Sequence, residues 1–321
     1  MTPQEENFIR KFTSLTTAVH SHQPLLKAFL QTMHFAFYKA NTSKFKYLIE
    51  TESATCLLFG NEVNHLQFGF FHLPTKPEER IPFWESICAK AKEAGTTSLA
   101  GPIQASTYFP YRFITESDGR PFFDGEYFSQ DFAHEFMMAQ NPSKVQYYRT
   151  GERDRFDGVM AVSKPYFDKA SEMGFTIQAH SSVSPTLFSS VFQLIGKIFG
   201  SNWSFQQISE EETKLIYASE FGKNSRLMLH TYHLNGQMIG FCRYVEHDEK
   251  TIICKTLGLL PEYQKMGLGN AGVYTMHADA KRLGYSHMYY ALIYDGNRVQ
   301  QNMPKDDSVI FRKYASYEFE L

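Results

Sequence analysis

Cysteine and tryptophan are scarce, four and two residues in a chain of 321. The cysteines, Cys56, Cys88, Cys242 and Cys254, make no Cys-x-x-Cys pair, so structural zinc is not expected. Cys242 and Cys254 lie in apolar stretches, where a reduced, packed thiol is ordinary. His134-Glu135 opens like a zinc-protease helix, but the position that would bring a second imidazole to the same face is Met138. No metal is expected. Long apolar runs are missing too: nothing approaches the roughly 18 consecutive residues of a membrane-spanning helix. An excess of either charge is also lacking, with 32 Lys+Arg against 34 Asp+Glu in the chain and 16 against 18 in residues 1–162. A polyanion would find no electrostatic footprint, so nucleic acid is not an expected partner. The start, Met-Thr-Pro-Gln-Glu-Glu-Asn, is polar and acidic, unlike an export signal, and the cytoplasm is the expected location.

What is present is a 43% hydrophobic composition, enough for a large core, and a length that suggests two domains. Phe8, Phe12 and Leu15 share one helical face, and a second helical run follows Pro24 to Phe37. Cys56–Phe59 and His65–His72 read as strands, Pro82–Ala94 as a helix stopped at Gly95, and Thr97–Gly101 as a further strand. From 102 to 162 the pattern is irregular, with four prolines and a dense set of aromatics between Tyr108 and Phe136. Those aromatics suit a core better than the wall of an acceptor pocket. This stretch, with a charged turn at 151–155, reads as an excursion closing a first domain near 162.

The second half, 163–321, is delimited more sharply. A helix over 164–173 ends at Gly174, Phe175–Ala179 is a strand, and Ser184-Pro185 opens an apolar-striped helix. Ser209 caps another helix. Leu227–Leu234 and Gln237–Val245 flank Asn235-Gly236, the strongest short signal for a type I′ hairpin. Thr251–Leu259 reads as a third antiparallel strand, 267–283 as a helix before Gly284, His287–Ile293 as a strand, and Lys313–Leu321 as the last one.

The stretch that carries chemistry is Leu259-Leu-Pro-Glu-Tyr-Gln264-Lys265-Met266-Gly267-Leu268-Gly269, where a strand becomes a helix. Two glycines permit close backbone approach, and the amides of 265–269 at a helix start would converge on an anion with the helix dipole behind them. This Gln264-x-x-Gly267-x-Gly269 run, between a strand and a helix and followed by Gly284 and a strand, resembles the coenzyme A signature Q/R-x-x-G-x-G/A of the GNAT N-acetyltransferases. The resemblance spans about 175–321 in element order. It implies acetyl-CoA or another acyl-CoA as co-substrate and a small amine as acceptor. It further implies that the backbone of Thr256, Leu257, Gly258 and Leu259 receives the pantetheine arm, that Gln264, Lys265, Met266, Gly267, Leu268 and Gly269 hold the diphosphate, and that Asn297 contacts the cofactor arm.

The first half resembles a degenerate copy. It repeats strand, helix, glycine, strand, but its connection, Pro74-Thr-Lys-Pro77-Glu-Glu-Arg80, has two prolines without N–H groups and no glycine. The whole chain is thus similar to tandem-GNAT proteins, an α/β (α+β) architecture of two GNAT-like domains, each a mixed, mainly antiparallel sheet flanked by helices. Gly69-Phe70-Phe71, Gly101-Pro102 and the ending Phe311-Arg-Lys-Tyr314-Ala-Ser-Tyr317 add to that likeness. Two departures bear on catalysis. The Tyr that many GNATs place about seven residues beyond the asparagine is Pro304 here, and Ile253 stands where a strand carboxylate is usual. Glu246 and Tyr314 remain as acid–base candidates. Three activities are therefore open: N-acyl transfer to a small amine, acyl-CoA binding without turnover, and aminoacyl-tRNA-dependent transfer, which the balanced charge disfavours.

Overall fold

The computed structural model describes residues 1–221, 225–297 and 308–321, the side chains of 218–221 excepted. The chain divides into two compact units, 1–147 with 312–321, and 148–311. This differs from a boundary at 162 because 144–153 form strand β6 (Lys144–Arg153) and 157–172 form helix α5 (Asp157–Glu172). Both belong mostly or wholly to the second unit. β6 escapes a hydropathy reading because its buried positions include Gln146, Thr150 and Arg153. The supposed charged turn at 151–155 begins as strand.

In the first unit, α1 (Pro3–His20) starts at a capping box, with the Glu5 amide donating to Thr2 Oγ1 and the Thr2 amide to the Glu5 carboxylate. Then come α2 (Leu26–Ala40), β1 (Phe45–Glu50), β2 (Thr55–Glu62), β3 (His65–His72), α3 (Pro77–Glu93), β4 (Ser98–Gly101), β5 (Phe113–Ser117) and α4 (Ala133–Ala139). The strand β12 (Ser308–Glu320) returns here, and within this unit the sheet order is β1-β2-β3-β4-β12, with β5 also on β12. Aromatic residues of the irregular stretch fill this core: Phe128 stacks on Phe29 at 4.4 Å and lies 4.1 Å from Phe122. At β12 the buried Arg312 guanidinium and Tyr314 hydroxyl both donate to the buried Glu126 carboxylate.

The second unit adds β7 (Phe175–His180), α6 (Pro185–Phe199), α7 (Glu210–Phe221), β8 (Leu229–Leu234), β9 (Gln237–Glu246), β10 (Thr251–Leu259), α8 (Leu268–Arg282) and β11 (His287–Tyr294). Its sheet order is β6-β11-β10-β9-β8-β7, parallel between β10 and β11 and antiparallel elsewhere. Asn235 and Gly236 take φ of 50° and 82°, as a type I′ turn requires. One core of the unit is made by α8 and α5 with Tyr232, Cys242, Ile252 and Met288 of the sheet. A separate core joins Val191, Leu194 and Ile198 of α6 to Leu229 and Phe241.

In the first unit β3 and β4 are parallel only from His65↔Ser98 to Gln67↔Ala100, after which the strands part. The gap is filled by the chain itself. The Ile103 amide donates to Phe68 O at 2.8 Å, the Phe70 amide to Gln104 Oε1 at 2.6 Å, and the Leu73 amide to Gln130 Oε1 at 2.8 Å. The Gln130 side-chain amide returns a bond to Leu73 O at 2.9 Å. A Cβ on Gly69 would lie 1.8 Å from Ile103 O, and one on Gly101 would lie 2.4 Å from Phe68 O, so the backbone can close this gap only at glycine. Gly69→Ala is therefore expected to destabilise the protein by more than about 2 kcal/mol. An unchanged urea midpoint would show that the filling segment is loosely held.

Candidate functional site

The second unit has the same parting of parallel strands, unfilled by any described segment. β10 and β11 pair from Thr251↔His287 to Cys254↔Tyr290 and no further. Both strands change course there. A bulge falls between Cys254 and Thr256 against β9, and an irregularity between Tyr290 and Ile293 against β6. In the latter, Leu292 takes a φ of 56° and its amide donates to Thr150 Oγ1 at 3.0 Å. Thr256–Leu259 keep their partners on β9, Arg243 to Gly240, while no described residue of β11 pairs with them. Thr256 and Leu257 are half-buried although they belong to an interior strand. On that side no described strand residue pairs with the main chain, and Leu259 O accepts from the Gln264 side chain, an edge of the kind an extended ligand can pair with.

The loop after β10 ends at the start of α8. A 3-10 turn over Pro261–Tyr263 leads to Gln264, whose side-chain amide donates to Leu259 O at 3.0 Å. Gln264 thus ties the loop to the last residue of β10. Lys265 and Gly267 take left-handed φ values of 67° and 82°, an alternation that turns successive N–H groups toward one side. Gly267 is the N-cap of α8 and makes no side-chain capping bond, and the first turn holds no acidic residue. The first amides of α8 accordingly lack both an intrahelical acceptor and a capping side chain. Leu268 is buried, so what it offers the loop is its amide, whereas Lys265 and Met266 are exposed. The Tyr166 ring stands 3.2 Å from where a Gly267 Cβ would be. The backbone here has the polarity that an anion site at a helix start needs.

The equivalent connection of the first unit has the opposite polarity. Pro74 and Thr75 present carbonyls, and these receive the Arg80 Nε and Nη2 donors at 3.0 and 2.7 Å. Glu78 and Glu79 lie in the first turn of α3 and oppose its dipole. An anion has nothing to bind there.

Of the other expected residues, Asn297 lies just past β11, its amide bonded to Tyr294 O at 2.9 Å. Pro304 lies outside the described residues. Neither acid–base candidate is available in the form expected. Glu246 pairs with Ile252, seven residues before the end of β10, roughly 23 Å from the loop at the strand rise. Its carboxylate accepts from Arg226 Nη2 at 3.0 Å and the Tyr285 hydroxyl at 2.8 Å. Burial favours its neutral form, but those two bonds outweigh burial and hold it below the usual carboxylate range. Tyr285 is pushed up to about 12 by burial and by Glu246. Tyr314 lies in the first unit, buried, with its hydroxyl donated to Glu126. Both serve as structural groups.

Sequence reasoning missed His277. It is fully buried in α8, and its Nδ1 lies 2.7 Å from Val273 O, which requires the proton on Nδ1. Nε2 therefore accepts from the hydroxyl of Tyr290, the last residue of β11 to pair with β10. The bond fixes Tyr290 at the apex of the slot. Among the described residues no group of three or more His, Cys, Asp or Glu could hold a metal ion, and no helix is long and apolar enough to cross a membrane.

Residues 189–305 match the sequence model of the Acetyltransferase (GNAT) family. No curated protein matches the sequence. Among solved structures, a probable N-acyltransferase of Enterococcus faecalis is similar at 9% identity and a TM-score of 0.57, over 96% of this chain and 69% of that one. A fungal multi-domain GH3 β-N-acetylglucosaminidase with a GCN5-related glucosamine N-acetyltransferase region aligns at 11% identity and a TM-score of 0.56. The match takes in 98% of this chain, which spans 37% of that protein's length. A tandem GNAT protein from the clavulanic acid biosynthesis pathway aligns at 9% identity and a TM-score of 0.52, over 98% and 95% of the two chains. The fold is of GNAT type, carried twice.

Burial holds the His277 imidazole down at about 4, whereas the unfolded chain protonates it near 6.5. The folded protein thus binds fewer protons between those values. The stability linked to His277 is complete above about 6.5 and is lost as pH falls toward 4, by about 1.4 kcal/mol per unit. Urea midpoints measured from pH 7 to 5 should fall more steeply in wild type than in His277→Gln, by close to one proton. Equal slopes would exclude a buried neutral imidazole.

Proposed function

We propose that the chain is an acyl-CoA-dependent N-acyltransferase of the cytoplasm. Its second unit would bind acetyl-CoA or another acyl-CoA, and the acceptor would be a small amine. The observation that carries this is the open edge of Thr256–Leu259 running into the uncapped amides of 265–269. Such a site fits a long ligand with an amide-bearing arm and a diphosphate, and the family match over 189–305 supports the same reading. When bound, acyl-CoA supplies the activated thioester. The loop amides would hold the diphosphate, the β10 edge would align the pantetheine arm, and Asn297 would contact it. Main-chain amides near Leu257 and Gly258 would polarise the thioester carbonyl during attack by the amine. Gly258 is covered from one side by α6, whose Ile198 Cγ2 would lie 2.5 Å from an added Cβ. That helix excludes water from one face of the strand.

Amine attack also requires a proton to leave the ammonium and one to reach the departing thiolate. With Glu246 and Tyr314 engaged in structure, water in the slot is the carrier in this reading. The same observation favours a second reading, acyl-CoA binding without turnover. Thiol release from acetyl-CoA in the presence of a panel of small amines separates the two.

Calorimetric titration with acetyl-CoA should give a stoichiometry near one, because the first unit's gap is filled and its connection offers carbonyls. A value near two would refute that account of the first unit. Gly269→Val should weaken acetyl-CoA binding by more than tenfold while the thermal midpoint shows a folded protein, since its side chain would occupy the phosphate's approach. Wild-type affinity in this variant would move the diphosphate site elsewhere.

A further inference from the structure

Cys242 of β9 and Cys254 of β10 are both free thiols, 0% and 9% exposed, with Sγ atoms 3.4 Å apart. The bulge brings them together. Cys254 pairs with Tyr244 and Thr256 with Arg243, leaving Lys255 as the extra residue, and the next pair is Leu257↔Cys242. An extra residue on one strand twists it locally, and both sulfurs end in the core beneath α8. Cys254 is also the last residue of β10 to pair with β11. The thiol pair thus stands at the apex of the slot, with its more exposed member on the slot strand.

We propose that Cys242 and Cys254 are a peroxide-responsive dithiol that closes to a disulfide at the apex of the slot, a modification that opposes ligand binding there. Cys254 pairs with Tyr244 and Cys242 with Leu257, so the two cysteines are diagonal neighbours, roughly 7–8 Å apart at Cα, and closing the bond draws the two strands' backbones together. The sulfurs must approach from 3.4 Å to about 2.05 Å. In the first step the Cys254 sulfur, once its proton has passed to solvent, attacks one peroxide oxygen, the O–O bond breaks, hydroxide leaves and a sulfenic acid forms. The Cys242 sulfur then attacks the sulfenic sulfur, the S–O bond breaks and a second hydroxide leaves. The two thiol protons complete two waters. Peroxide is reduced, and the pair loses two hydrogens.

A polar path leads from the thiols to the surface. Cys242 is in hydrogen-bond contact with the Tyr244 hydroxyl. That hydroxyl lies 3.0 Å from His230 Nδ1, and His230 Nε2 lies 3.0 Å from Asp279 Oδ2. The Asp279 carboxylate can only accept, so Nε2 carries the proton and Nδ1 accepts from Tyr244. The Tyr244 and His230 donors point toward the partly exposed Asp279, so the polar path from the thiols ends at the surface. The bond from Cys242, together with burial, holds the Cys254 thiol above its ordinary range. The dithiol is therefore resting and reduced until peroxide reaches it along the slot.

The opposition to ligand rests on the acyl-CoA reading, because drawing Cys254 toward β9 displaces the last β10–β11 pair. The test is to treat the protein with hydrogen peroxide, block free thiols by alkylation and map the peptides without reduction. The expected product is a Cys242–Cys254 cross-link, 2 Da lighter by loss of two hydrogens and reversed by dithiothreitol. Acetyl-CoA affinity should fall at least tenfold on oxidation and recover on reduction, and Cys242→Ser should abolish this sensitivity. Sulfonic acid at Cys254 beside an alkylatable Cys242, or a Cys56–Cys88 bond in place of the expected one, overturns the proposal. A cross-linked protein that binds acetyl-CoA as tightly as the reduced one overturns the opposition. If reduced protein binds no acetyl-CoA, the slot reading fails while the cross-link alone upholds the dithiol.

Discussion

Two parallel strands that part leave main-chain donors and acceptors without partners, and a sheet interior has no water to satisfy them. Each unit of this protein contains one such parting, and the fate of those groups separates the two. Between β3 and β4 they are met from within, by the Ile103 amide and the side chains of Gln104 and Gln130. Between β10 and β11 no described strand residue pairs with them, and the Gln264 side chain meets Leu259 O. The first solution spends two glycines, Gly69 and Gly101, to let one backbone pass close to another. The second keeps the strands apart with a bulge on each side, one anchored by the Thr150 hydroxyl. One parting is therefore closed by the chain itself, and the other is closed by no described strand.

The connections that follow the partings agree with this division. α8 begins at a left-handed glycine with no cap and no carboxylate in its first turn, so the positive end of its dipole is uncompensated. α3 begins between prolines, with two glutamates in the first turn and its preceding carbonyls closed by Arg80. Ancestry is not needed to read these differences. They follow from which backbone groups each loop turns outward.

The parts legible in the sequence were those set by local chemistry. Asn235-Gly236 dictates its turn, and Gln264, Gly267 and Gly269 mark the strand-to-helix cradle, since φ, N–H supply and side-chain size are properties of single residues. The rest depends on partners distant in sequence. β1 is half-buried at every position and shows no alternation to read. β6 buries Gln146, Thr150 and Arg153, so its inward face reads as polar. The return of 312–321 to the first unit is set by Glu126, nearly two hundred residues away, which binds both Arg312 and Tyr314. No periodicity encodes that.

Glu246 and Tyr314 show why residue type is a weak guide to catalysis. Each has suitable chemistry, but Glu246 closes β9 whereas Tyr314 lies in the middle of β12. A carboxylate with Arg226 and Tyr285 already bonded to it has little basicity left, because taking up a proton would forfeit both bonds. A phenol donating to a buried carboxylate likewise gives up its proton only by placing two negative charges in one core. Both groups are already engaged by partners in the fold, and a proton transfer at either would break those bonds. What the described residues leave at the slot is main chain beside Tyr290, and in the proposed reaction main chain would align a thioester and polarise its carbonyl without titrating. In the proposed reaction, chemistry at such a site would draw on pre-organised backbone, with solvent carrying the proton.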